Sequence, residues 1–174
     1  MGTWGTSIED NDTYNDIKAE FLDFYNDGVS LDEIYSEFIS DEDFEEVPEE
    51  SHDFWFAIAD LLWQCKGLND KVLNVVKSII ESKSDLIYWK ETNGDDEDII
   101  EREIELNQFL KKISIPKKTA KRRVKKKLYD SLFKKGDVLT FKLENNNYGV
   151  ALVIDDEKGI KTESGKNLIV LFDF

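Results

Sequence analysis

Apolar side chains recur every three to four positions through most of residues 14–110, which is the spacing that lines one face of an α-helix. A first helix is predicted to begin at Asp12, whose side chain can cap it, and to stop at Gly28. A second helix is predicted to begin at the capping box formed by Ser30 and Glu33. Residues 41–50 interrupt the pattern with acidic side chains and a proline, which predicts a loop or a frayed helix end.

Three more helices are predicted after this loop. The segment 51–66 is apolar on nearly every side, which is typical of a buried central helix, and Gly67 is predicted to stop it. Asn69 is placed to cap a helix with one broad apolar face. The last helix is predicted to begin near Asp95, among four acidic residues, and to end before Pro116. The pattern therefore predicts about five helices, and between the last two lies a short segment, SDLIYWKE, that ends at the turn signal Asn93-Gly94.

Alternating apolar and polar residues replace the helical spacing after residue 133. Two strands are predicted at roughly 137–143 and 148–155, joined by the turn-rich residues 144–147, and a third strand is predicted at 167–174. Three antiparallel strands leave an exposed edge, which we expect to be covered by further strands beyond this sequence, by the helices or by another chain. The predicted fold class is α+β, with a helical N-terminal subdomain followed by a small antiparallel β-subdomain.

Charge is distributed unevenly along the 174-residue chain, which has 38 acidic and 23 basic residues and a formal net charge of −15. This net charge disfavours nonspecific binding of nucleic acid or anionic membranes by the whole molecule. Residues 1–110 carry 30 acidic and 7 basic side chains, whereas residues 111–135 carry 1 acidic and 12 basic. The basic block lies where helical spacing ends, which predicts a helical subdomain at 1–115, a basic connector at 116–132 and a β-subdomain at 133–174.

The compartment is predicted from what the sequence lacks. No uncharged apolar stretch approaches the ~20 residues of a membrane span, and the first residues lack the basic and then apolar run of a signal peptide. Cys65 is the single cysteine and cannot form an internal disulfide. We therefore expect a cytoplasmic protein that does not contact a membrane.

Candidate catalytic and metal-binding residues are few. Cys65 lies in the apolar segment 51–66 and is predicted to be a small core residue. His52 is the single histidine, without a second imidazole or a cysteine pair for zinc and without the partners of a catalytic triad, so it is expected to be exposed or to cap a helix. The acids at 95–98 lack the oxygen spacing and glycine of a calcium loop. We predict no catalytic residue, no metal and no cofactor, and hence a protein that is not an enzyme.

The acidic stretch at residues 41–50 has two interpretations. Most such stretches are solvated loops, but a dense row of carboxylates can also mimic a phosphate backbone and bind a basic partner. In the second interpretation the partner-binding residues are Asp41, Glu42, Asp43, Glu45 and Glu46.

The basic run that follows Pro116 also has two interpretations. Its cations can fold back onto the acidic helical region of the same chain, or they can form a patch for nucleic acid. In the nucleic-acid alternative the binding residues are Lys117, Lys118, Lys121, Arg122, Arg123, Lys125, Lys126 and Lys127. Few aromatic residues are interspersed among these cations, which argues against a platform that stacks single-stranded bases.

Trp4 lies between glycines, which let the backbone turn sharply. We expect its indole to pack into the helical core and fix the N-terminus, the alternative being an exposed aromatic anchor in a binding site.

Two segments resemble bacterial families. The opening MGTWGTSIEDNDTYNDI is similar to that of the family called domain of unknown function 4259, whose members begin with Gly-x-Trp-Gly-x-(Gly/Ser) followed by Asn-Asp. This match rests on the following residues: Gly2, Trp4, Gly5, Asn11 and Asp12. The segment FKKGDVLTFKLENNNYGVALVI resembles the first hairpin of the immunity protein 26 family. This second match rests on the following residues: Phe133, Gly136, Asp137, Tyr148 and Gly149.

The resemblances carry the functional expectation. The immunity protein 26 family consists of bacterial proteins that neutralise a partner toxin in polymorphic toxin systems, and its members continue into more strands where this sequence stops. The resemblance implies a non-enzymatic bacterial binding protein, an immunity or defence-associated protein that blocks another protein such as a basic toxin or nuclease. The alternative is a nucleic-acid-associated regulatory module that uses the basic run at 116–127.

Overall fold

Among the residues that the structure describes, six α-helices precede a three-stranded antiparallel sheet in this computed structural model, which confirms the α+β class. The described residues are 5–92, 95–125, 128–144, 146–160 and 165–172. The chain divides into a helical unit, Met1–Arg123, and a sheet unit, Val124–Phe174. The predicted basic connector spans this division. The predictions made for Trp4, Lys126 and Lys127 lie outside the described residues.

Five of the six described helices occupy positions that the apolar spacing predicts, and the helix Ser84–Thr92 is the exception. They are α1 (Asp12–Asp27), α2 (Leu31–Phe38), α3 (His52–Cys65), α4 (Asp70–Ser82), α5 (Ser84–Thr92) and α6 (Asp96–Ile113). The acidic stretch between α2 and α3 contains two short 3₁₀ helices, Glu42–Phe44 and Glu49–Ser51. None of the described helices combines the length and the apolar character needed to cross a membrane.

The helix ends follow the capping residues, with two corrections. The capping box of Ser30 and Glu33 is present as predicted. The side chain of Asn11, and not that of Asp12, caps α1 by accepting a hydrogen bond from the backbone N–H of residue 14 at 2.7 Å. The residue that adopts the left-handed conformation after α3 is Lys66, with φ 64°, and not Gly67.

Helix α5 corresponds to the short segment SDLIYWKE, which the apolar spacing does not predict to be a helix. It is only nine residues long, and it buries Asp85, Leu86 and Trp89. A helix of this length with a buried carboxyl group gives no clear apolar face in the sequence. The tertiary contacts of these three side chains therefore determine the helix more than its pattern does.

Helix α3 forms the centre of the helical core, as its apolar sequence predicts. Ten of its 14 residues are buried, and it packs against α1, α4 and α6. The core cluster extends from Ile8 to Ile113 and includes residues from every α-helix. Burial of this much apolar surface is the main stabilising contribution to the helical unit.

The sheet unit is built from hairpins. Its strands are β1 (Leu128–Tyr129), β2 (Val138–Lys142), β3 (Tyr148–Glu157), β4 (Gly159–Ile160) and β5 (Lys166–Phe172). The main sheet has the order β2-β3-β5 with antiparallel pairing, and β1 pairs antiparallel with β4. Ala151 and Val153 of the central strand are buried, and the pairing of β3 with β5 shifts register between Val153 and Asp155. The two-residue strands β1 and β4 are too short to be predicted from alternation.

Candidate functional site

The acidic loop, residues 41–50, joins α2 to α3 and carries seven carboxylates. All seven side chains are exposed, and the five predicted partner-binding residues lie together in its first six positions. The seven residues are Asp41, Glu42, Asp43, Glu45, Glu46, Glu49 and Glu50. The structure therefore brings the predicted residues together on one solvent-facing segment.

Apolar side chains fix the shape of this acidic loop. Phe44 and Val47 pack against the helical core, and the Phe44 ring centroid lies 5.2 Å from that of Trp55. The Asp43 carboxylate accepts hydrogen bonds from the backbone N–H of Ser40 at 2.7 Å and from its hydroxyl at 2.9 Å. These contacts hold the backbone of the acidic loop in place, so its carboxylates occupy defined positions.

A lysine of helix α4 contacts the loop. The Lys71 ammonium lies 3.1 Å from a carboxylate oxygen of Asp41 and 5.5 Å from the centroid of the Phe44 ring. Both charged side chains are largely exposed, so this pair contributes little to stability. The loop retains a strongly negative surface that can attract lysine and arginine side chains of another molecule.

Three cations of the basic run contact the helical unit itself. The Lys117 ammonium lies 4.4 Å from the centroid of the Trp63 ring. The side chain and the backbone N–H of Lys121 both donate hydrogen bonds to Gln64 of α3, each at 2.8 Å. The Arg123 guanidinium lies 4.6 Å from the centroid of the Tyr25 ring. The basic run thus folds back along the helical unit as far as residue 123.

Other residues of the basic run lie outward. Lys118, Arg122 and Lys125 are exposed. The eight residues predicted for nucleic-acid binding therefore do not form one group. Three of them pack on aromatic rings or on α3, and three face solvent. The other two lie outside the described residues.

A buried ionic cluster surrounds Arg102, which has no exposed surface. Its Nε donates a hydrogen bond to Asp85 at 3.0 Å, and its Nη2 donates one to Asp53 at 3.1 Å. A third guanidinium nitrogen donates to the backbone carbonyl of Thr6 at 3.2 Å. The guanidinium also lies 4.8 Å from the centroid of the Trp89 ring. Arg102 thereby links α6 to α3, α5 and the N-terminal segment.

His52 belongs to this cluster, and the expectation that it is exposed or caps a helix is wrong. Only 3% of its surface is exposed, and its Nδ1 lies 3.5 Å from a carboxylate oxygen of Asp85. The first turn of α3 faces α5 and not solvent, because Asp85 and Tyr88 of α5 lie beside the imidazole. A lone histidine in a first turn gives no signal in the sequence that another helix covers it.

The two carboxyl groups of the cluster respond differently to their surroundings. Burial of Asp85 favours its neutral form, but His52 and Arg102 outweigh this influence and hold the pKa of the carboxyl below its ordinary value. Burial raises the pKa of Asp53 above its ordinary value, although Arg102 opposes the change. Asp85 is therefore the principal counter-ion of Arg102.

The order of Ser84, His52 and Asp85 is that of a catalytic triad, but their contacts favour a structural role. The Ser84 hydroxyl lies 3.5 Å from Nε2 of His52, and the opposite ring nitrogen is equally far from Asp85. Asp85 is already bonded to Arg102, and the imidazole is buried. A substrate has no access to a histidine buried in this way, and the carboxylate that would orient it is engaged elsewhere.

A second buried carboxylate connects the helices with the basic run. Asp60 of α3 is fully buried and accepts hydrogen bonds from the Tyr14 hydroxyl at 2.8 Å, the Gln64 amide at 2.6 Å and the Lys112 ammonium at 2.8 Å. Gln64 in turn accepts the hydrogen bonds of Lys121. Tyr14 lies in α1 and Lys112 lies in α6, and Gln64 connects Asp60 to the basic run. Asp60 therefore links α1, α6 and the basic run to α3.

Cys65 is buried, as predicted, and burial raises the pKa of its thiol, which opposes formation of the reactive thiolate. In the part of the chain that the structure describes, no three or more His, Cys, Asp or Glu side chains are grouped so as to hold a metal ion.

The buried ion pairs were missed by sequence reasoning, although signals for them exist. Arg102 is the single basic residue of 91–110, and it shares helical spacing with the buried residues Leu106, Phe109 and Ile113. Asp60 is similarly the single charged residue between positions 54 and 65 of the apolar helix α3. A charged residue on the apolar face of a helix indicates a buried, partnered charge.

No protein-family model, no curated protein and no solved structure matches this chain.

Proposed function

We propose that the chain is a non-enzymatic bacterial protein of the cytoplasm that binds another protein and blocks it, as immunity and defence-associated proteins do. The proposed partner is a basic toxin or nuclease, and the proposed contact is the acidic loop. The observation that carries the proposal is the shape of this loop: five carboxylates follow one another at residues 41–46 on a segment held by Phe44 and Asp43.

Carboxylates that already occupy fixed positions favour binding, because the acidic loop loses little conformational entropy when the partner binds. A nuclease holds phosphates on a cationic surface, and a row of fixed carboxylates offers that surface an alternative set of anions. The resemblance to the immunity protein 26 family agrees with this class of partner. The contacts of the buried histidine and cysteine, described above, agree with a protein that is not an enzyme.

The nucleic-acid alternative is less well supported by the contacts of the basic run. Lys117, Lys121 and Arg123 pack on the helical unit, which reduces the number of cations that can reach phosphates. We expect no salt-sensitive binding to generic duplex DNA or single-stranded RNA in fluorescence anisotropy at low salt. Binding that is lost when Lys118, Arg122 and Lys125 are changed to alanine would favour the alternative instead.

The binding proposal is tested by capturing partners from the native host with the tagged chain and then measuring association rates with the captured protein. Lysine replaces the following residues in the test variant: Asp41, Glu42, Asp43, Glu45 and Glu46. Association should slow about tenfold or more, and the wild-type rate should fall as salt is raised.

A matched control has the same change in net charge at exposed acids outside the loop. Lysine replaces the following residues in this control: Asp16, Glu20, Glu37, Glu81 and Glu91. The control should slow association much less than the loop variant. Equal effects of the two variants would show that only net charge matters, and no effect of either would place the contact away from the acidic loop.

A further inference from the structure

Strand β5 exposes four consecutive apolar residues, Leu168 to Leu171, and between 39% and 62% of the surface of each residue is accessible. Successive side chains of a strand point to opposite faces, so β5 is exposed on both faces of the sheet. It is also an edge strand, because the sheet order is β2-β3-β5. No charged residue lies within the segment 168–171. Such an edge is a ready template for another strand.

The hydrogen-bonding direction of this edge follows from the central strand. The backbone N–H and C=O of Val153 bond to Asp137 and Gly136, on the β2 side of β3. Alternation along β3 then directs the backbone of Leu152 towards its β5 partner, Val170. Along β5, the backbone groups of Ile169 and Leu171 must therefore point away from β3, to the outer edge.

The outer edge of β5 is covered at its beginning and not along this apolar segment. Gly165 forms a parallel bridge with Ser131. The Asn167 side chain exchanges hydrogen bonds with the backbone of Phe133, accepting one at 3.1 Å and donating one at 2.8 Å. Among the described residues, the chain segment at 131–133 thus closes the edge as far as residue 167, and residues 168–171 lie beyond it.

We propose that β5 pairs antiparallel with β5 of a second copy of this chain, with the two-fold axis at Val170. This register places Val170 opposite Val170 as a non-hydrogen-bonded pair. It also places Ile169 opposite Leu171, and these are the residues whose backbone groups face outward. The two sheets become one six-stranded sheet.

A second copy fits this edge better than a charged partner does, for two reasons. The paired segments contain no charge, so no like charges are brought opposite each other. The sheet unit also has nine basic and eight acidic residues, whereas the helical unit has 14 basic and 30 acidic. Two copies of an acidic chain therefore meet with the least repulsion at their nearly neutral sheet units.

Analytical ultracentrifugation of the full chain over a concentration series tests the proposal. Wild-type protein should form a reversible dimer. Val170→Lys should be monomeric over the whole series, because the substitution places two ammonium groups together at the axis. Val138→Lys is the matched control, since Val138 is an exposed valine on the opposite edge strand, and it should dimerise as wild type does.

A cross-linking experiment tests the register and does not depend on the folding of a charged variant. Non-hydrogen-bonded pairs have Cα atoms about 4.5 Å apart, within the range of a disulfide. Val170→Cys should form a disulfide-linked dimer under mild oxidation, whereas Val138→Cys should not. Cys65 is buried and present in both variants.

Three results would overturn the proposal: wild-type protein that is monomeric at every concentration, a dimer that Val170→Lys leaves unchanged, or cross-linking of Val138→Cys in place of Val170→Cys. A β5 edge that pairs only with a different protein would give the first of these results.

Discussion

The helical unit and the sheet unit are stabilised by different kinds of interaction. The helical unit buries a continuous apolar cluster around α3, and its buried charges at Arg102, Asp85 and Asp60 have charged or hydrogen-bonding partners. In the described part of the sheet unit, the buried apolar side chains are those of Ala151 and Val153, while most of β2 and β5 is exposed. Backbone pairing thus contributes more to the sheet unit, and side-chain packing contributes more to the helical unit.

This difference predicts where the chain tolerates change. A substitution that alters size or charge inside the helical unit disturbs many neighbours at once, because protein interiors are closely packed. The same substitution on an exposed strand alters few contacts, and its effect is on association and not on folding. Matched pairs of substitutions in the two units test the distinction directly.

Leu62→Asp has the largest expected effect. Leu62 is 1% exposed in α3, so an aspartate at this position places a carboxylate inside the apolar core. We expect the loss of stability to exceed roughly 5 kcal/mol, so that the helical unit does not fold. Circular dichroism and a two-dimensional NMR spectrum measure the outcome.

The matched substitution in the sheet unit is Leu168→Asp. Leu168 is 60% exposed, so its carboxylate remains hydrated and the strand should still pair with β3. A well-folded Leu62→Asp protein, or an unfolded Leu168→Asp protein, would contradict the assignment of the core to the helical unit.

Arg102→Ala has the next largest effect. Removing the guanidinium leaves Asp85 and Asp53 without their cation, and breaking a buried ion pair in this way costs about 3–5 kcal/mol. Urea denaturation measures the loss. The control is Lys83→Ala, which removes an exposed ion pair with Glu103 and should cost about 1 kcal/mol or less. Similar losses for both variants would argue against an essential ionic cluster.

Gly165→Ala should weaken the sheet unit and leave the helical unit unchanged. An added Cβ would collide with backbone atoms of Glu157 and Ser131, which cannot move aside as a side chain can. The expected cost is about 1–3 kcal/mol, read from NMR signals of residues 128–172 during denaturation. At Gly149 the added Cβ would meet the Phe141 ring at 2.5 Å, and that ring can rotate, so Gly149→Ala should cost less. The reverse order of effects would contradict the proposed backbone collision.

Local signals in the sequence predict much of the fold. The capping residues Ser30, Glu33 and Asn69 act on backbone groups three residues away, and the structure has these caps in place. Apolar spacing similarly predicts α3 and α6, because a helix must bury its apolar face whatever it packs against. Capping acts over a few residues, and apolar spacing depends only on the helical period. Neither signal requires knowledge of contacts with distant parts of the chain.

The ionic cluster and helix α5 could not be predicted in the same way. Arg102 contacts residues 17, 49 and 96 positions away, and nothing near it in the chain specifies those partners. His52 is buried only because α5 covers it, and α5 itself has a weak pattern. For the candidate site, charge predicts that the acidic loop is exposed, but the contact of Phe44 with Trp55 that shapes the loop depends on tertiary packing.

Tyr14→Phe has the smallest effect and reveals a pH dependence of the helical unit. The buried Tyr14 hydroxyl donates a hydrogen bond to Asp60 at 2.8 Å, and the loss of this bond should cost about 0.5–1.5 kcal/mol at neutral pH. Burial and the Asp60 charge raise the pKa of Tyr14 far above its ordinary value of 10.0. A raised native pKa means that the stabilisation is complete below the unfolded pKa and declines as pH rises above it.

Wild-type stability should therefore fall above about pH 10, where the unfolded chain ionises Tyr14 and the folded chain does not. Tyr14→Phe should show a shallower fall, because the variant has one fewer tyrosine that loses its proton only on unfolding. Tyr148→Phe is the control in the sheet unit, where Tyr148 is 68% exposed, and it should alter neither the neutral stability nor the alkaline slope. Urea denaturation between pH 7 and pH 11 measures all three proteins. An alkaline slope that Tyr14→Phe leaves unchanged would mean that the buried hydrogen bond to Asp60 does not control the protonation of Tyr14, and that the polar groups of the helical core are more hydrated than their contacts indicate.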